Sequence, residues 1–371
     1  MLHEPESAMR ELSGCATSEP PDELLSHITS LAAARRRPLT REQYVQGILR
    51  GDRTVLARAI TLIESARSAD RLLAEAILED CLPCCGNSIR VGITGIPGAG
   101  KSTLIESLGI YLAESLGEKV AVLAIDPSSQ ISGGSILGDK TRMPMLSAHE
   151  RSFIRPSPSR GTLGGVAQRT REAMLLCEAA GFNNILIETV GVGQSETTVH
   201  GMVDFFLLIL LTGTGDELQG IKRGVMELAD LVLINKADGD NLAAAERARS
   251  EAANALHYFP LSASGWTPIV QTCSAHTGKG IAEIQQTLQN YRAFTSANGW
   301  FEKRRSMQSR HWMQEMIQHG LLQNFDEDAK VQQRKKEVER EVQQGRMTSF
   351  RAARTLLEIH AARIPEEKSP I

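Results

Sequence analysis

The segment Gly95-Ile96-Pro97-Gly98-Ala99-Gly100-Lys101-Ser102 constrains this chain more than any other stretch. Its residues fit the spacing GxxxxGK[ST]; the strand-like IRVGIT leads in and the helix-compatible TLIESLGIYLAESLG leads out. Glycines in such a loop let consecutive backbone N–H groups turn inward onto phosphate oxygens, and the loop delivers them to a helix N-terminus whose partial positive charge favours anions. Lys101 adds a mobile positive charge for β and γ phosphates, and Ser102 offers a hydroxyl to Mg²⁺, a small ion that prefers six oxygens. Thr103 completes the expected phosphate contacts at the start of the helix. The motif predicts a nucleotide site between a strand and a helix.

Around it the chain alternates. Short β-rich runs at Ile89–Thr94, Val120–Ile125, Ile185–Ile187, Phe205–Leu211, Leu231–Ile234 and Ile269–Thr272 are separated by stretches long enough for helices. Apolar strands alternating with helices predict an α/β fold of the P-loop NTPase class, with a mostly parallel central sheet flanked by helices. That domain is expected over residues 88–293. Residues 1–37 mix Pro, Ser, Glu and a basic triplet without periodicity, as a flexible leader does. Residues 38–87 predict a helical N-terminal module, with Thr40 and Gln43 at capping-box spacing. Residues 294–371 predict helices at Arg310–Asn324, Asp326–Gln344 and Thr348–Ala362, with Gly320 and Gly345 as stops. A solvated appendage and an arm that grips a second subunit both fit this tail; apolar positions without a core of their own favour the dimerisation arm.

Composition removes several alternatives. Lys and Arg number 41 against 44 Asp and Glu, a formal net charge of -3, so no global basic field argues for nucleic acid. The longest apolar run, Phe205 to Leu211, falls far short of the roughly 20 residues a spanning helix needs, and the N-terminus lacks both a basic start and an apolar stretch. A cytoplasmic protein without membrane insertion is expected. The six cysteines, three of them at Cys81, Cys84 and Cys85, do not resemble a secreted disulfide scaffold and suit a reducing compartment.

Two further segments extend the nucleotide reading. Leu231–Ile234 runs into Asn235-Lys236-Ala237-Asp238, the arrangement NKxD at a strand end. Asp238 can accept from guanine N1–H and the exocyclic amine, whereas adenine offers an acceptor and no amine there, so guanine is expected. Lys236 would lie along the base, Asn235 would tie this loop to the phosphate loop, and the N–H groups of Ser274 and Ala275 would face the guanine carbonyl. Ile185-Leu186-Ile187-Glu188-Thr189-Val190-Gly191 places an acidic residue at a strand end with Gly191 three positions on. Glu188 is expected at the metal, and Gly191 at the γ phosphate as part of a switch. Asp126 and Asp139 are further hard-oxygen donors for Mg²⁺. Val192 occupies the position where small signalling GTPases carry a water-orienting Gln, so intrinsic hydrolysis is expected to be slow unless Gln194 or a partner group positions the water.

Taken together, these strings resemble the MeaB/ArgK GTPases, a family that includes the methylmalonic aciduria type A protein. VGITGIPGAGKSTLIESLG, AIDPSS, GGSILGDKTRM, PSRGTLGGVAQRTREAMLLCEAAGF, ETVGVGQSE, TGTGDELQGIKRGVMELADLVLINKAD and HWMQEMIQHGL carry the resemblance. The resemblance implies a homodimeric, Mg²⁺-dependent GTP hydrolase that acts as a chaperone for an adenosylcobalamin-dependent acyl-CoA mutase of the methylmalonyl-CoA mutase type, gating cofactor loading and protecting the mutase. It places Ser102, Asp126, Asp139 and Glu188 at the magnesium site, and residues 213–222 on a third mobile loop with Lys222 its notable charge. Lys101, Glu188, Gly191, Gln194 and Lys222 form the implied catalytic set, and GTP and GDP are substrate and product. The chain departs from the family at Cys81-Leu82-Pro83-Cys84-Cys85-Gly86, where a short LP-x-TG-like connection is usual; a bland reduced-thiol connection and a metal site both fit the cysteines. Two other functions remain open from the residues. A transport-linked ATPase or kinase of basic amino acids is opposed by NKAD; a His-rich tract or complete Cys cluster would favour a metal-insertion GTPase, and the sequence has neither.

Overall fold

The computed structural model describes residues 38–65, 67–125, 142–156, 163–189, 195–212 and 223–362. Residues 1–37, and with them the expected leader, lie outside that range. Helices α1 (Arg41–Leu49), α2 (Arg53–Glu64) and α3 (Ser68–Cys81) come first. The alternation follows: β1 (Ile89–Gly95), α4 (Lys101–Ile110), β2 (Val120–Ile125), α5 (Pro144–Ala148), β3 (Ser152–Arg155), α6 (Leu163–Ala179), β4 (Asn184–Thr189) and α7 (Ser195–His200). It continues with β5 (Phe205–Leu210), α8 (Arg223–Glu227), β6 (Leu231–Ile234), α9 (Leu242–Leu256), β7 (Ile269–Thr272) and α10 (Ile281–Ala297). Helices α11 (Trp300–Glu327), α12 (Ala329–Gln343) and α13 (Ser349–Ala361) close it.

The seven strands form one sheet in the order β3-β2-β4-β1-β5-β6-β7, and every pairing is parallel. Parallel strands need helical crossovers, so both faces are covered and the strands read as continuous apolar runs. In β4 the side chains divide by alternation: Ile185 and Ile187 join the core beneath α1, α2, α3 and α6, while Leu186 joins the core beneath α4 and α10. A third cluster places Leu208, Leu210, Val232 and Ile234 under α8 and α9. Because β1 lies between β4 and β5, the chain leaves β1 toward one edge and, after β4, crosses to the other. The crevice at the carboxyl ends of β1 and β4 is the switch point where open α/β sheets bind ligands.

Sequence reading missed β3. It is four residues long at the sheet edge, Ser152–Arg155, and exists through its pairing with β2 rather than through any period of its own. The C-terminal helices also differ from expectation. One helix, α11, begins at Trp300 rather than Arg310 and runs through Gly320, which is therefore no stop; Gly345, with φ of 69°, does follow the end of α12. The polar stretch at the start of α11 is not simply solvated, because Arg304 and Arg305 pair within the fold.

That pairing belongs to a buried ion network at the amino ends of β1 and β5. The Glu178 carboxylate accepts from Arg90 Nε and Nη2 at 2.9 Å each, from the Gly86 N–H at 2.9 Å and from the Ser88 hydroxyl at 2.5 Å. Asp204 accepts from Arg305 Nε at 2.8 Å, from Arg305 Nη2 at 2.6 Å and from the Arg90 N–H at 2.9 Å. Four elements, β1, α6, β5 and α11, are thus fixed by side chains no period reveals. Burial by itself favours the protonated acid, but Arg90, Ser88 and Arg305 hold the Glu178 carboxyl below the usual glutamate range. Its share of stability is present above the ordinary glutamate pKa and is lost as pH falls through the lower folded value.

At the amino end, Thr40 and Gln43 form the expected capping box: the Gln43 N–H donates to Thr40 Oγ1 at 3.3 Å, and the Thr40 N–H to Gln43 Oε1 at 2.9 Å. Burial pushes the Cys81 thiol up to about 11 and the Cys85 thiol up to about 12. Among the described residues no group of three or more His, Cys, Asp and Glu side chains is placed to hold a metal ion. No described helix is long and apolar enough to cross a membrane.

Removing Glu178 strands Arg90, whose side chain is only 5% exposed, without its partner. Glu178→Ala is expected to cost about 3–5 kcal/mol, and the paired change Arg90→Met with Glu178→Leu markedly less, measured as shifts of the urea unfolding midpoint.

Candidate functional site

The phosphate loop sits at the carboxyl end of the central strand. Gly95 ends β1 opposite Ile209, so close that a Cβ there would meet the Ile209 carbonyl oxygen at 2.5 Å. Gly100 precedes α4 with φ of 90°, and a Cβ on it would meet Asn235 Nδ2 at 2.5 Å. Neither position tolerates a side chain. Between them the Ala99 N–H donates to the Ile96 carbonyl at 3.2 Å, and the Leu104 N–H to the Gly100 carbonyl at 2.9 Å, which starts the helix. Pro97, Gly98 and Thr103 are exposed on the loop and first turn, while Ala99 is buried beneath them.

Lys101 is buried, and its ammonium donates to the Gly95 carbonyl at 2.7 Å and the Ile96 carbonyl at 3.1 Å. Burial holds its pKa below the ordinary lysine value; Glu188 and Glu196 act against that shift and Arg142 acts with it. The Ser102 hydroxyl donates to Glu188 Oε1 at 2.9 Å. Register explains the meeting: Glu188 in β4 stands opposite Ile93 in β1 and Ala124 in β2, so its carboxylate emerges beside the first turn of α4. A hydroxyl and a carboxylate at that separation are hard oxygen donors of the kind Mg²⁺ takes. Asp126, Asp139, Gly191, Gln194 and Lys222 lie outside the described residues.

The base-side loops are joined to the phosphate loop through Asn235. Its Nδ2 donates to the Ala99 carbonyl at 2.8 Å, while its Oδ1 accepts from the Ala275 N–H at 3.1 Å and from Cys273 Sγ at 3.5 Å. Lys236 follows with φ of 62°, alone among the described non-glycine residues in having a positive value. Strain of this kind persists where surrounding contacts over-determine the backbone, here the Asn235 bonds on one side and an Ala237 N–H bond to the Cys273 carbonyl at 2.9 Å on the other. Lys236 is exposed and Asp238 half-buried.

Ser274 and Ala275 do not present their N–H groups as expected. The Ser274 N–H donates to the Lys279 carbonyl at 2.9 Å, and the Ala275 N–H is held by Asn235. The Ser274 hydroxyl instead donates to Asp238 Oδ2 and accepts from the Thr277 N–H at 3.2 Å, so Ser274 orients the carboxylate. Sequence reasoning also missed Ser107, whose hydroxyl donates to the Ala275 carbonyl at 2.5 Å and ties α4 to this loop. It missed Glu196 and Arg142 as well, both within electrostatic reach of Lys101. Only their placement in space marks them, since none belongs to the spaced motif.

The sequence profile of the family described as "Methylmalonyl Co-A mutase-associated GTPase MeaB" matches residues 56–330. This chain belongs to the MeaB family of GTPases. Among curated relatives, the GTPase ArgK of Escherichia coli (strain K12) is 47% identical over 286 residues, 77% of this chain and 86% of the relative. The mouse protein named methylmalonic aciduria type A homolog, mitochondrial, is 44% identical over 327 residues, 85% of this chain and 79% of the relative. The crystal structure of a protein named LAO/AO transport system kinase superposes with a TM-score of 0.68 at 37% identity, covering 86% of this chain and 96% of that one. The MeaB profile thus spans the phosphate loop, Glu188, the loops of Asn235 and Ser274 and the whole of α11.

Proposed function

We propose that this MeaB-family GTPase uses hydrolysis of Mg²⁺-bound GTP as a timer that gates adenosylcobalamin loading into an acyl-CoA mutase of the methylmalonyl-CoA mutase type and protects that mutase. The observation that carries the nucleotide part is the Asn235 side chain, bonded at once to the phosphate loop and to the loop of Ser274 and Ala275. Such a link would set the distance between triphosphate and base. The Gly95–Ser102 amides would hold the β and γ phosphates, with Lys101 exchanging its loop carbonyls for phosphate oxygens. Asp238, aligned by Ser274, would select guanine. Magnesium, held by Ser102 and Glu188 with Asp126 and Asp139, would supply charge neutralisation at the phosphates. Gly191 would read the γ phosphate, and Gln194 and Lys222 would complete the catalytic set. The mutase part rests on the family's description and on the name of the mouse relative. A transport kinase is the second reading, favoured by the likeness to the LAO/AO transport system kinase.

A homodimer is part of this proposal. Met313, Met316, Ile317 and Leu321 fall at helical spacing on one face of α11 and are 46–61% exposed, an unpartnered apolar stripe. A second copy of the same helix would cover it.

Asp238→Asn reverses the hydrogen-bonding sense at the base edge. Calorimetry is expected to show GTP affinity reduced by about 10²-fold or more, with xanthosine triphosphate preferred; retained guanine selectivity would contradict the base-side assignment. For the partner, pull-down of purified methylmalonyl-CoA mutase with GDP and with a non-hydrolysable GTP analogue should differ several-fold, on the order of 1–3 kcal/mol of coupling. Equal capture in both states, or none, argues against the timer. Sedimentation of Ile317→Glu should give a monomer where the parent gives a dimer, and a monomeric parent would end the dimer proposal.

A further inference from the structure

One buried carboxylate near the phosphate loop has an oxygen without a donor. Glu196 lies in the first turn of α7, is 7% exposed, and its Oε2 meets no hydrogen-bond donor among the described residues. Buried polar groups are nearly always satisfied, and an ionised one left over is the costliest to keep, so such an oxygen marks a place where a donor arrives during function.

Four observations bear on where that donor would come from. Helix α7 packs on β4 and β1, the strands that end in Glu188 and the phosphate loop. It starts beyond the carboxyl end of β4 and leads back toward the start of β5, so its first turn lies at the sheet edge that carries the phosphate loop. One turn later Val199 packs over Gly92 so tightly that a Cβ on Gly92 would meet its Cγ1 at 2.8 Å, which fixes the helix against β1. Finally, the Glu196 charge acts on Lys101 in company with Glu188 and Arg142, placing it among the charged groups of the phosphate site. Glu188 is committed to the Ser102 hydroxyl. Val192, at the position used elsewhere for a water-orienting Gln, has no polar atom to offer.

We propose that Glu196 orients the water that attacks the γ phosphate. The inference rests on the GTPase reading and adds to its catalytic set, beside Gln194, a carboxylate that can accept the water's proton. In the step, the water oxygen forms its bond to the γ phosphorus as the bond from that phosphorus to the β–γ bridging oxygen breaks. The electron pair of the broken bond stays on GDP. Glu196 Oε2 accepts one water O–H, takes its proton as the new bond forms, and returns it to the released phosphate. Oε2 is shielded from bulk solvent, so it would act as acceptor once nucleotide and water enter the site.

Glu196→Gln preserves shape while removing the charge and the proton-accepting oxygen. Single-turnover GTP hydrolysis is expected to fall by about 10²–10⁴-fold, with GTP and GDP affinities by calorimetry within about threefold of the parent. Binding of the transition-state mimic formed by GDP, Mg²⁺ and aluminium fluoride should weaken roughly in step with the rate. Glu196→Asp, which retracts the carboxylate by one methylene, should fall between the two with nucleotide affinity intact. Hydrolysis within about threefold of the parent in both variants would overturn the proposal, as would loss of GTP affinity in proportion to rate, the mark of a merely structural group. A parent protein that turns over no GTP would instead overturn the GTPase reading beneath it.

Discussion

The site depends on one side-chain amide. Asn235 closes a triangle between three loops that are far apart in sequence: its own, the phosphate loop through Ala99, and the loop of Cys273 and Ala275. Each of these bonds is buried, where a carboxamide with fewer partners would be costly. The strain at Lys236 and the absence of a Cβ at Gly100 both follow from the need to bring this amide close to backbone. A phosphate-binding turn alone grips an anion; in the proposed function the triangle would relate that grip to a base.

Beneath the loops, the parallel sheet supplies rigidity by being buried on both faces. Side-chain alternation along β4 commits Ile185 and Ile187 to one core and Leu186 to the other. The amino-terminal helices α1, α2 and α3 share the first of these cores. The opposite end of the sheet is held by Arg90, Glu178, Asp204 and Arg305, which join α11 to β1 and β5. The apolar stripe of α11 is therefore carried on a helix anchored beside β1, the strand that delivers the phosphate loop.

Much of this was legible because the informative residues are local. The phosphate loop, the strand before it and the helix after it are one continuous stretch, and NKAD follows directly on β6. Strong apolar runs announced β2 and β6 to the residue. Weak or non-local signals failed. β3 has four residues and an edge position, α11 opens with charges that looked solvated, and Gly320 sits inside a helix whose neighbours sustain it. At the site, Ser107 and the hydroxyl role of Ser274 depend on approaches between segments more than 30 residues apart.

Chemical type was written in the linear order of residues: glycines that let backbone turn inward, a lysine and a serine at a helix start, a carboxylate just past a strand end. These are properties of short segments, set by backbone sterics and hydrogen-bonding capacity. Which carboxylate meets Ser102, which amides are already spoken for, and which acid is buried without a donor were decided by strand register and helix packing. Such outcomes are sums over contacts between distant segments, and a buried polar atom acquires its meaning only from the neighbours that fold around it.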